Sequence, residues 1–140
     1  MSWDVYVLGA TEPPPPVAEM PDDWRGASLG SADEVRRKIT VCLPETDWSD
    51  PTWGCYAGAG FTFEFSVRAV EPCDGFMIFV RGGGDAVPEI LRLAERWGWY
   101  PLDCSSSEWF HHTPDVGANW QEFQAYRDRV LGQYEQPPPG

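Results

Sequence analysis

Between Phe76 and Ser105 the chain reads FMIFVRGGGDAVPEILRLAERWGWYPLDCS. This stretch predicts a strand, a glycine turn, a capped helix, a glycine stop and a returning strand. Phe76, Ile78 and Val80 alternate with Met77, Phe79 and Arg81, so both sides of the first strand are largely apolar. Such a strand belongs in the interior of a sheet. Gly82, Gly83 and Gly84 allow a sharp reversal without Cβ clashes, and Asp85 is placed to cap the helix that follows. Pro88 falls in the first helical turn, where a missing N–H costs little. Val87, Ile90, Leu91, Ala94 and Trp97 are expected on its buried face. Gly98 stops this helix, and Trp99 to Cys104 continue as a strand.

Around this unit the patterns are similarly legible. Trp3 to Leu8 alternates as a first strand. Ser31 and Glu34 have capping-box spacing, and Val35, Ile39, Cys42 and Leu43 form an apolar helical stripe that Pro44 ends. Phe61, Phe63, Phe65 and Val67 alternate with Thr62, Glu64, Ser66 and Arg68, which predicts a strand with one buried and one wet face. A short strand is expected at Trp53 to Ala57, preceded by a turn-rich DWSDPTWG loop. Pro13 to Pro16 favours stiff, extended polyproline backbone within the long connection from Glu12 to Gly30. Asn119 and Glu122 suggest a second capping box, ahead of an amphipathic helix marked by Trp120, Phe123, Val130 and Tyr134. The predicted fold class is α+β. It is a two-layer sandwich with a mainly antiparallel sheet of about five strands, in the order β-α-β-β-β-α-β. Its helices lie on one face, and a C-terminal helix is appended. Strands joined by a helix can pair in parallel through a crossover. Residues 1–135 are read as a single domain and 136–140 as a proline-rich tail.

Composition narrows the classes of partner. The chain has 140 residues, with 22 acidic against 10 basic side chains and a net charge of −12. That balance repels nucleic acid and anionic lipid and favours a basic protein partner. No apolar run is long enough to span a membrane, and no secretory signal is expected at the start. The four cysteines, at 42, 55, 73 and 104, form no CxxC pair. They are read as reduced thiols in a cytoplasmic protein with no metal and no cofactor.

Three arrangements invite chemistry. The Gly82-Gly83-Gly84-Asp85 turn sits where a phosphate-binding loop would, but no Lys or Ser/Thr follows it, and Asp85 puts negative charge at the phosphate position. It is therefore assigned to turn and cap. Asp103, Cys104 and His111 are close enough in sequence for a nucleophile, orienter and base, although no family-type signature surrounds the cysteine. His111 and His112, as sequence neighbours, make a poor chelating pair. Asp47 and Asp50 flank Trp48, and Asp22-Asp23-Trp24 repeats the acid–aromatic association. Paired acids near aromatics occur in glycosidases, while Asp is also ordinary turn chemistry. Eight tryptophans is a high count for this length. Trp97 and Trp99 are assigned to the core, and Trp24, Trp48 and Trp109 to loops. Acid beside an exposed indole suits a protein-binding surface, with carboxylates steering and tryptophans anchoring. Asp22, Asp23, Trp24, Asp47, Trp48 and Asp50 are the candidate contact residues, and no catalytic residue is assigned.

DWSDPTWG, the Phe-alternating strand, VRGGGDA and the terminal LDCSSSE together resemble a group of small bacterial proteins associated with immunity partners of secreted polymorphic toxins. The resemblance spans Trp3 to Glu108. It implies residence in the cytoplasm and a toxin domain as partner. It transfers no catalytic residue, because the motifs carry no assigned chemistry. The leading expectation is thus a non-enzymatic binding protein, an immunity-type inhibitor that covers the active surface of a toxin domain. The alternatives are a small enzyme using Cys104 and His111 or the Asp47/Asp50 loop, and a structural adaptor in a secretion or phage assembly.

Overall fold

The strand unit anticipated from Phe76 onward lies at the centre of one seven-stranded sheet in a computed structural model that describes residues 1–69 and 71–135. The Gln136–Gly140 tail and the side chain of Tyr134 lie outside these residues. The elements are β1 (Trp3–Leu8), α1 (Ala32–Cys42), β2 (Asp47–Asp50), β3 (Trp53–Ala57), β4 (Phe61–Ser66), β5 (Gly75–Gly82), α2 (Ala86–Trp97), β6 (Tyr100–Asp103), β7 (Glu108–Trp109) and α3 (Val116–Glu135). The sheet order is β2-β3-β4-β5-β1-β6-β7, and every pairing is antiparallel. The α+β class holds, with seven strands rather than about five. The two additional strands are the short edges: β2 lies inside the stretch read as a turn-rich loop, and β7 carries Trp109.

The helix-linked strands do not pair in parallel. Strands β5 and β6 run in the same direction, but β1 is inserted between them and is antiparallel to both. In the same way α1 carries the chain from β1, in the middle of the sheet, to β2 at its edge. The intervening strands satisfy each ladder with antiparallel bonds, so the crossovers need no parallel pair.

One face of the sheet forms the core. Trp3, Val5 and Val7 of β1, Phe61, Phe63 and Phe65 of β4, and Phe76, Ile78 and Val80 of β5 are all buried. Val35 and Ile39 of α1, Val87, Ile90 and Leu93 of α2, and Val116 and Trp120 of α3 pack against them. The phenylalanines stack along their own strand, Phe61–Phe63 at 4.9 Å and Phe63–Phe65 at 5.8 Å between centroids. In α2, Leu93 occupies the buried position expected of Leu91, which is 39% exposed. At 100° per residue the buried residues Ala86, Val87, Ile90, Leu93 and Ala94 occupy one arc of about 120° centred on Ile90, and Leu91, about 100° from Ile90, falls outside it. Trp99 is buried. Trp97 is half-buried and ties α2 to α1, donating from Nε1 to the Lys38 carbonyl at 3.1 Å while the Arg96 guanidinium lies 4.2 Å from its ring centre.

Helix starts follow local chemistry, with two departures. Ser31 and Glu34 form the expected reciprocal capping box on α1. Asp85 occupies the cap position of α2 but makes no side-chain capping bond. Helix α3 begins upstream of the Asn119–Glu122 pair, where Asp115 Oδ1 accepts from the Ala118 N–H at 3.1 Å. Asn119 therefore lies inside the helix, free to reach across to β6. The glycine turn is set by close packing: Gly82 and Gly84 have φ of 89° and 68°, and a Cβ on Gly84 would come within 2.4 Å of the Ala59 carbonyl oxygen. Only glycine satisfies both demands.

Candidate protein-binding surface

The structure separates the two acid–tryptophan clusters. Asp47 and Asp50 bound β2, one edge of the sheet. The loop bearing Asp22, Asp23 and Trp24 belongs to the opposite side. There Trp24 lines a groove of about 520 Å³ with Pro13, Pro15 and Arg25. That loop is fastened to the β7 end, because Trp109 Nε1 donates to the Pro15 carbonyl at 3.0 Å and His111 Nε2 to the Pro14 carbonyl at 3.1 Å. The proline run thus straps the far edge of the sheet. Six inter-strand gaps of ~4.8 Å put the two edges roughly 29 Å apart.

Within each cluster the acids are exposed, but the indoles differ. Asp47 Oδ1 accepts from the Ser49 N–H at 2.8 Å and its hydroxyl at 2.6 Å. Asp50 Oδ1 accepts in the same way from Thr52, at 2.9 Å and 2.8 Å. These bonds hold both carboxyls below the usual carboxylate range and keep them charged. Trp48 turns inward. It is half-buried, stacks on Phe65 at 6.1 Å and donates from Nε1 to the Thr40 hydroxyl at 3.0 Å. A side chain on Gly54 would collide with its ring. Trp48 therefore fastens β2 to α1 and the core, and its remaining surface lines a groove with Arg36, Arg37 and Val41. Trp109, also read as a loop residue, is buried in β7.

The proposed relay is not assembled. Asp103 and Cys104 are neighbours on an extended segment and point to opposite faces. Asp103 is 1% exposed on the core side, and its carboxylate accepts from Trp3 Nε1, from the Ser105 N–H and hydroxyl, and from Asn119 Nδ2. His111 spends its Nε2–H on Pro14, and partial burial lowers its pKa, with His112 acting the same way against the raising effect of the Pro14 bond. Desolvation, followed by the charge of Asp4, pushes the Cys104 thiol up, away from thiolate character. All four cysteines are free. In the glycine turn the Gly83 N–H is spent on the Gly60 carbonyl at 2.6 Å, while Trp120 Nε1 donates to the Gly84 carbonyl at 2.9 Å and Arg127 to the Gly82 carbonyl.

A larger surface escaped the sequence reading, namely the face of the sheet turned away from the helices. Strand register places Trp53, Ser66, Met77, Tyr6 and Leu102 in one row across β3, β4, β5, β1 and β6. A second row runs Asp47, Cys55, Glu64, Phe79 and Asp4 across β2, β3, β4, β5 and β1. Trp53 is 37% exposed and stacks on Phe79 at 5.4 Å, bridging the rows. Glu64 is paired with Arg81 at 3.0 Å. The signal for this face was present in β5, whose outward Met77 and Phe79 are apolar in a two-layer fold where the outer side should be polar.

No family model, curated protein or solved structure matches this chain.

Proposed function

We propose that the chain is a non-enzymatic protein-binding module of the immunity type, which covers the active surface of a cationic toxin domain. The observation that carries this reading is where the acid lies. Helices α1 and α2 hold five cations against four carboxylates, so the negative excess belongs to the loops and the sheet side of the molecule. The exposed carboxylates of Asp22, Asp23, Asp47 and Asp50 steer the partner in, and exposed aromatic surface holds it. Trp24 can contribute to the hold from its groove. Trp48 contributes by fixing the position of β2 rather than by inserting into the partner.

The reading is tested by co-expressing the chain with the toxin domain encoded beside its gene. The expected result is restored growth and a stable stoichiometric complex on gel filtration. A neighbouring gene with no toxin domain, or a toxin that remains lethal while the two proteins fail to associate, contradicts it.

A further inference from the structure

We infer that the open face of the sheet is a docking platform for a basic amphipathic helix of a protein partner, laid across the strands rather than along them. The inference rests on the binding-module reading above and names the surface and the chemistry of its occupant.

The two rows define the geometry. Each crosses five strands, so each is about 19 Å long at ~4.8 Å per gap. Outward residues two apart along a strand are separated by roughly 7 Å, which sets the distance between the rows. One row is apolar apart from Ser66, with Trp53, Met77, Tyr6 and Leu102. The other carries Asp47, Glu64 and Asp4, with Phe79 between the last two. A helix about 10–12 Å wide spans both rows, and ~13 residues cover their length. Leu or Phe at positions i, i+3 and i+7 would lie on the apolar row, with Lys or Arg one face over reaching the carboxylates.

Charge selects among occupants. A second copy of this chain, itself at −12, is repelled by the same carboxylates. Arg81, the outward cation of β5, is already committed to Glu64, and Arg68, just past the end of β4, lies beside Tyr6 at the border of the apolar row, away from the carboxylates of the other row. Among the described residues, the Asp4 carboxylate accepts only from the Ser2 hydroxyl and that of Asp47 only from Ser49, so neither is tied to a cation of this chain. At one end, β7 and the Pro14–Pro15 strap close the face. At the other, Trp53 stands exposed and forms the natural anchor.

The test uses the full chain, isotope-labelled for NMR, and a synthetic 14-residue amphipathic Lys/Leu helix as probe. Controls are a scrambled peptide of identical composition and the same helix with Glu in place of Lys. The expected result is saturable binding of the Lys/Leu helix alone, with chemical-shift changes centred on Trp53, Phe79, Met77 and Tyr6. Trp53→Ala should weaken binding about tenfold or more, as truncation of an interface anchor does. Thr62→Ala, an outward residue outside both rows, should leave affinity unchanged. Retained near-UV circular dichroism separates loss of contact from loss of fold. Equal binding of the scrambled peptide, shifts confined to the Trp24 loop or the α1–β2 groove, or a homodimer that buries Trp53 would overturn the inference. Repeating the Trp53→Ala measurement with the toxin domain separates the two claims. Undiminished toxin affinity defeats the platform and leaves the binding module standing, whereas failure of the wild-type chain to bind the toxin defeats the module itself.

Discussion

Asp103→Ala is expected to lower the free energy of unfolding by about 2–4 kcal/mol, the sum of one orphaned buried donor and the lost bonds to the other neutral donors that Asp103 accepts from. The carboxylate is 1% exposed and is the single acceptor that joins three parts of the fold. Trp3 Nε1 of β1 donates to it at 3.1 Å, the Ser105 N–H and hydroxyl of the β6–β7 turn at 2.9 Å and 2.6 Å, and Asn119 Nδ2 of α3 at 3.2 Å. Alanine would strand the buried Trp3 donor, at about 1–3 kcal/mol, and remove the acceptor that holds the Ser105 turn, while the half-buried Asn119 could turn its amide toward the groove it lines. Asp103→Asn keeps one oxygen acceptor and should lose less, although its amide must then face that of Asn119. Urea denaturation of the three proteins decides the matter. An alanine variant within 1 kcal/mol of the parent would show that the network adds nothing to stability.

Phe63→Ala is expected to cost about 3–5 kcal/mol, the range for emptying a buried phenylalanine site. Phe63 is 1% exposed, lies 4.9 Å from Phe61 and 5.8 Å from Phe65, and has Tyr56 at 6.1 Å on its strand neighbour. With rings on three sides, the cavity cannot close by a small shift of one side chain. Thr62, one residue away, points to the open face and is exposed. Its alanine variant should change stability by no more than about 0.5 kcal/mol. Equal effects of the two substitutions would contradict the assignment of sheet faces on which the binding surface depends.

The core was legible where period and punctuation agreed. The Phe61–Phe65 alternation, the Ser31–Glu34 box and the Gly98 stop each follow from local rules, and each is realised. What local rules could not supply was anything fixed by a distant partner. The DWSD segment of β2 has turn chemistry in its own sequence, with Asp47 on Ser49 and Asp50 on Thr52. It becomes a strand because β3 offers a ladder and Trp48 reaches Thr40 and Phe65. Asp103 is a candidate orienter in sequence. Its role is set by Trp3, 100 residues away. The candidate site was legible in part: the carboxylates are exposed as expected, but the two clusters sit on opposite edges because the proline strap binds β7. The open face was missed because Trp53, Met77 and Tyr6 belong to three strands that only the sheet brings into line.

The central claim, that this acidic surface captures a cationic protein, is tested most directly by the association rate of the chain with the toxin domain over a range of salt concentration. For the wild type the rate should fall steeply as ionic strength rises, because steering by exposed charge is screened beyond ~8–10 Å in physiological salt. In Asp47→Lys/Asp50→Lys the low-salt rate should drop about tenfold and the salt dependence should flatten, with little change in dissociation. Association that is indifferent to salt and to both reversals would contradict the account.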